Sequence, residues 1–443
     1  MEAPDSILTQ KEKILTWTIS NISASGFEPY APDKRYYTPH VYVCPRVFSI
    51  AGIEGSTDTW KDFGMWVWKL NQGRDQLPLN TVLHLLDITK DLNSTKEKVK
   101  AVYQYMQSKT HYVGIQLGLG GLQPTDATTV DNVGYGDCKG LTNYMRAMLN
   151  AIGIDSHYAL IKAGPNNKYF QQDFAFSQFN HAILCVPNDG DTIWLECTSQ
   201  DSPFGFLGDF TDNRYALLIT SEGGVLTKTP LYDKTTNIST STSQIMVSPD
   251  GSASIKSNAV FKGLAFDNYF GIILQSTSDQ NNTLHKRLPY ADFRLKSHSF
   301  NWSKDKAEVV FTYEAEIKNL ATLAGTRLLL NTPTLNSYIT PPQRIRNRQK
   351  PFILYSDYLD VDTLVYSIPE GYKPQGLEPK NITDERFGTY SARYDVVEGQ
   401  LRYIRSMERN SGFFKAEEYA DFVEFMNKIV IADKSTIILI KEQ

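Results

Sequence analysis

The sequence predicts an α+β protein in which a cysteine-bearing helix packs against an antiparallel sheet, flanked by mostly β, sandwich-like regions. Three observations carry this reading. Residues 138–151, "CKGLTNYMRAMLNA", place Leu141, Tyr144, Met145, Met148 and Leu149 at helical spacing. Directly after them, "IDSHYALIKAG", "FNHAILCVP" and "DTIWLECTS" read as three strands, the last two joined by the hairpin signal "NDGD". From about residue 230 the texture changes to short strands separated by turn signals, as in "SQIMVSPDGSASIKSNAVF".

The 443 residues exceed the roughly 250–300 over which one core grows, so several domains are expected. Residues 1–75 carry runs such as "RYYTPHVYV" and "FGMWVWKL" broken by Pro and Gly, and read as a strand-rich, irregular segment. Residues 76–230 form the core unit. It opens on "NSTKEKVKAVYQYMQSKT", where Ser94 and Glu97 make a capping box and Val99, Val102, Tyr103 and Met106 make an apolar stripe. The stretch "HYVGIQLGLGGLQPTDATTV" predicts a short strand and a loop. Its glycines are not a phosphate loop, because neither a helix start nor GK[ST] follows. The cysteine helix comes next, over about 138–151, with Gly153 where a left-handed C-cap belongs. Residues 231–443 form the C-terminal, mostly β unit. It holds one helix around 263–275 and another in "KAEEYADFVEFMNKIV", where Tyr419, Phe422, Val423 and Met426 share a stripe, before a final strand "STIILI".

A formal charge of -4 offers no footprint for nucleic acid, and no apolar run reaches the roughly 18–20 residues that span a bilayer. The opening "MEAPDSILTQKEKILTW" lacks the basic and apolar regions of a signal peptide. Four cysteines are too few for a disulfide framework, and no CxxC or HExxH spacing suggests a metal, so no cofactor is expected.

The chemistry centres on Cys138. With Asp137 as N-cap, the cysteine stands at the first turn of its helix, where unpaired N–H groups favour thiolate. Alone it reads more readily as a packed, inert thiol. The partners are His181 and Glu196. If the hairpin turns about Asp189-Gly190, residue 183 faces 196 and 185 faces 194, which puts His181 and Glu196 on one face as diagonal neighbours, Cβ atoms about 7 Å apart. A carboxylate there fixes the imidazole tautomer. A three- or five-residue loop would turn Glu196 to the opposite face. Taken singly, His181 reads as an edge histidine and Glu196 as a solvated carboxylate; together the three supply nucleophile, base and orienter. The same register puts Cys185 on the His181 face and Cys197 on the other, so these two stay unpaired thiols. Trp194, opposite Cys185, reads as a core aromatic more than as the wall of a substrate groove.

These residues amount to a resemblance. "YGDCKGLTNYMRAMLNAIGID", "NHAIL" and "WLECTSQDSPFG", with "KEKVKAVYQYM", "YVGIQLGLGG" and "DFTDNRYALLI" around them, resemble the transglutaminase-like superfamily. The likeness is to bacterial proteins, common in Bacteroidetes, that join an N-terminal β domain of unknown function to a transglutaminase core and a further β domain. It implies a papain-like core and cysteine chemistry in the order Cys, His, acid, carried here by Cys138, His181 and Glu196. The third position departs from the pattern: where the family has Asp-Pro-Thr, this chain has Glu196-Cys197-Thr198, one methylene longer, which threatens the orientation of His181. Asp201 is a fallback acid. The oxyanion would be held by the Cys138 backbone N–H and a side chain such as Gln116. Most proteins of this kind are exported, so the resemblance implies an extracytoplasmic location.

The expected function is thiol-dependent acyl transfer on a peptide or side-chain amide, by hydrolysis more than crosslinking, with a peptide or protein substrate and no nucleic acid. The alternative is a catalytically impaired scaffold of the same fold that binds peptide or glycan.

Overall fold

The computed structural model describes residues 4–442 apart from 23, 25, 115, 116, 166, 167 and 398. Its centre is a five-stranded antiparallel sheet in the order Gly223–Lys228, Tyr215–Thr220, His157–Ile161, His181–Asn188, Asp191–Leu195. The hairpin turns at Asp189 (φ 43°) and Gly190 (φ 85°), two successive positive values that match the right-handed strand twist. Cys185 therefore pairs with Trp194 and Leu184 with Leu195, the register that the sequence implies.

The cysteine helix spans Cys138–Ala151 and is followed by Gly153 at φ 75°. Its apolar stripe and that of helix Thr95–Lys109, which begins in the Ser94/Glu97 capping box, bury against Leu184, Val186, Ile193, Leu195 and Cys197. Each large side chain fully buried here contributes roughly 1.5–3 kcal/mol. Ile183, Cys185 and Trp194 belong to a separate cluster, and all four cysteines are free.

Residues 60–71 correct the expectation of a strand. "WKDFGMWVWKLN" is a helix, Trp60–Asn71, whose N-cap Thr59 accepts the Asp62 N–H. Phe63, Trp66, Val67 and Leu70 recur at helical spacing, a signal masked by β-favouring aromatics. This helix lies on the sheet, with Gly64 against Gly224; a Cβ at Gly64 would stand 2.2 Å from the Gly224 Cα, so only glycine allows the approach. Helices Leu79–Thr89, Ala127–Val133 and Thr277–Arg287 were not anticipated.

The C-terminal region holds an eight-stranded sheet: Phe293–Trp302, Glu308–Ile317, Ala253–Lys262, Ile238–Val247, Tyr358–Ser367, Gln400–Arg409, Gly388–Val397, Lys380–Asp384. Within it Ile238–Val247 runs parallel to Tyr358–Ser367. A four-stranded sheet that includes Arg327–Asn331 and the final strand Thr436–Lys441 shares one apolar core with it, the sandwich-like packing expected. The expected helices are Leu264–Ile273 and Tyr419–Asp433. No helix among the described residues is long and apolar enough to cross a membrane.

Candidate active site

Asp137 caps the cysteine helix in the manner expected, its Oδ1 accepting the Gly140 N–H at 2.9 Å, while its Oδ2 takes the Lys139 ammonium. One turn further along, Thr142 donates to the Ala182 carbonyl at 3.1 Å. That bond sets the height of the helix against the sheet, and it brings Cys138 beside His181, the first residue of its strand.

His181 and Glu196 meet as the register requires: the imidazole Nε2 lies 3.0 Å from Oε1 and 2.9 Å from Oε2. The added methylene of Glu196 is accommodated. Thr198 donates its hydroxyl at 2.6 Å and its backbone N–H at 3.2 Å to Oε1, and the Tyr103 hydroxyl holds the Glu196 carbonyl at 2.7 Å. The carboxylate is thus fixed from its own chain, and the Thr95–Lys109 helix pins its backbone.

Cys138, His181 and Glu196 are 4%, 9% and 6% exposed, so their charges interact in a water-poor setting where electrostatic forces are strong. Burial alone would strip the imidazolium of its proton, but the Glu196 carboxylate, with help from the neighbouring Cys138, outweighs it and pushes His181 up to about 10. Burial acts to raise Glu196, yet the imidazolium and the Thr198 donors hold it below the usual carboxylate range. With Nε2 committed to Glu196, Nδ1 is the nitrogen left to face the thiol. Burial pushes the Cys185 thiol up to about 11 and Cys197 higher still, which makes both inert.

Of the remaining expectations, Gln116 lies outside the described residues. Asp201 sits away from His181, paired with Lys304 at 3.1 Å. Trp194 is 3% exposed in the core. Several flanking residues were missed from sequence. Phe210 meets the His181 ring edge to face at 5.3 Å. A cleft of about 280 Å³ opens at Cys138 and His181, walled by Phe63, Trp66, Val67, Leu122, Leu160 and Phe179. Three of these walls come from helix Trp60–Asn71, so its period, had it been recognised, was the signal that leads to them.

Two stretches of the chain match known families. Residues 85–203 match the transglutaminase-like superfamily, and residues 326–439 match a domain of unknown function, DUF3858. The crystal structure of "a putative protease from Parabacteroides distasonis" is similar in fold, with a TM-score of 0.56 at 16% identity, over 99% of this chain and 67% of that one. No curated protein matches the sequence.

Proposed function

We propose, on the premise that residues 85–203 of this chain belong to the transglutaminase-like superfamily, that it is a thiol-dependent acyl-transfer enzyme that hydrolyses peptide or side-chain amides. The observation that carries the reading is the buried His181–Glu196 pair, hydrogen-bonded through Nε2, beside a cysteine at a helix N-terminus and open to a cleft. Cys138 gives its proton to His181 Nδ1, and the sulfur attacks the amide carbonyl carbon. The resulting oxyanion faces the Cys138 backbone N–H, one of the donors that a helix start leaves without an intrahelical acceptor. As the tetrahedral intermediate collapses, the C–N bond breaks and the imidazolium proton passes to the leaving amine. Water, deprotonated by the same imidazole, then attacks the thioester, and the C–S bond breaks to release the acid and the thiol. Glu196 keeps the ring in the productive tautomer and stabilises its charge throughout.

The reading is tested by labelling the four cysteines with iodoacetamide near neutral pH and following each by mass spectrometry. Cys138 is expected to react fastest, with Cys185 and Cys197 silent in the folded protein. Equal rates at all four would remove the activated nucleophile. Turnover of a peptide amide should release free acid; incorporation of an added primary amine in its place would favour crosslinking over hydrolysis.

A further inference from the structure

The cleft beside Cys138 is lined by apolar and polar groups together. Phe63, Trp66 and Val67 form one wall from a single helix turn, and Leu160 and Phe179 come from the sheet and the approach to its His181 strand, with Leu122 at the rim. The polar lining residues are Lys139, Ser177, Asn180 and His181, of which Lys139 and His181 adjoin Cys138 in the chain or across the helix–sheet contact. Lys139 is the cleft's nearest candidate to receive an anionic group, but its ammonium is already bound to Asp137, itself the cap of the cysteine helix. A charged substrate side chain entering here would be desolvated with no unengaged counter-charge among the described lining residues, which is unfavourable. An apolar one would exchange water for aromatic and aliphatic surface. At about 280 Å³ the space holds one large side chain and the adjoining backbone.

In the two half-reactions the amine departs and water replaces it, while the acyl part stays attached to sulfur. A cleft with an aromatic and aliphatic wall beside the nucleophile therefore suits the acyl part.

We infer that this cleft selects substrates carrying a large apolar or aromatic side chain on the acyl side of the scissile bond, with Val67, Trp66 and Phe179 setting the preference. The inference rests on the acyl-transfer reading above and names its substrate class.

The experiment uses peptidyl chloromethyl ketones that carry Phe, Ala or Glu at each of the two residues preceding the electrophile, with Cys138 alkylation followed by intact mass. Phe at one of the two positions is expected to react about 10- to 100-fold faster than Ala, the worth of burying one large apolar side chain, and Glu slower than Ala. Equal rates, or a preference for Glu, would overturn the inference. Iodoacetamide run in parallel separates the two levels. If it labels Cys138 selectively while no peptidyl probe does, the substrate class fails and the nucleophile stands; if it does not select Cys138, the enzymatic reading itself fails.

Filling the recess gives the second arm. Val67→Phe should bring the Phe:Ala rate ratio close to one, and an unchanged ratio would place the selective surface elsewhere. Should that variant fail to fold, Leu122→Phe at the rim, where residue 122 is 39% exposed and the larger ring displaces no buried neighbour, is expected to lower the same ratio, and no change there would count against the inference equally.

Discussion

In the five-stranded core a histidine and a glutamate lie buried together, and in the C-terminal sheet an arginine lies buried between two aspartates. Arg405 is 0% exposed; it faces Asp362 across neighbouring strands and donates to Asp433, at the end of helix Tyr419–Asp433, at 2.7 and 3.1 Å. Tyr390 donates to Asp433 at 2.9 Å, while Ser241 at 2.6 Å and Asn336 at 3.1 Å complete Asp362. Every arm of that network ends on another protein group, and it joins a helix to a sheet. The His181–Glu196 pair is a little less buried, 9% and 6% exposed, and its histidine lines a cleft together with Cys138. Burial of charge is common to both, so it does not identify a reaction centre. What sets the first pair apart is its place beside Cys138 at a cleft, the feature on which the proposed reaction rests.

The widest separation between the two regions is expected from a pair of substitutions. Cys138→Ser should lower amide turnover by about 10³-fold or more, because the hydroxyl is a far poorer nucleophile in this pairing, while the urea midpoint stays close to that of the parent. Arg405→Met should do the reverse. It leaves two buried carboxylates without their cation, at a cost of about 3–5 kcal/mol in unfolding free energy, and touches nothing at Cys138. Urea denaturation and a turnover assay on both proteins decide it. If Arg405→Met unfolded within about 1 kcal/mol of the parent, the network would not be the structural joint described.

A pH titration sharpens the contrast. His181 is raised from 6.5 to about 10, so its stabilising contribution is whole below about 6.5 and is lost as pH rises through about 10. Glu196 is lowered from 4.5, so its contribution is present above that value and is lost as pH falls through the depressed one. The pair therefore stabilises the fold most between about 4.5 and 6.5. Turnover needs the imidazolium to protonate the leaving amine, so kcat/KM should fall as pH rises through about 10, and Glu196→Gln should move that limb to lower pH. An alkaline limb that Glu196→Gln leaves in place would mean the carboxylate does not govern the ring.

The parts of this arrangement that are local in sequence were legible there. The helix from Cys138 declared itself by its stripe and cap, and the Asp189-Gly190 turn fixed the register that aligns His181 with Glu196. The cleft wall was not legible, because aromatic residues at 60–71 favour a strand by propensity, and only docking on the sheet through Gly64 makes the helix the better solution. Nor was the Arg405 network, since Asp362, Arg405 and Asp433 share no local pattern and meet through strand pairing and helix docking alone. The replacement of Asp by Glu at position 196 suggested a misaligned triad. The compensating contact comes from Thr198, a residue visible in the sequence whose hydroxyl direction is set by the end of the strand.

That contact supports the smallest effect expected. Thr198→Val keeps the side-chain shape and the backbone N–H on Oε1 but deletes the hydroxyl donor at 2.6 Å, so Glu196 loses one of its two local restraints. A hydrogen bond to a charged group is worth roughly 1.5–3 kcal/mol, but only the share that tightens as the imidazolium forms lowers the barrier, so a decrease of about tenfold or less in kcat/KM is expected. The decrease should lie in kcat, because Thr198 does not line the cleft, and Thr198→Ser should restore it. Loss confined to KM, or failure of serine to rescue, would show that Thr198 supports the strand end and not the carboxylate. The longer acid would then orient His181 without help from its own chain.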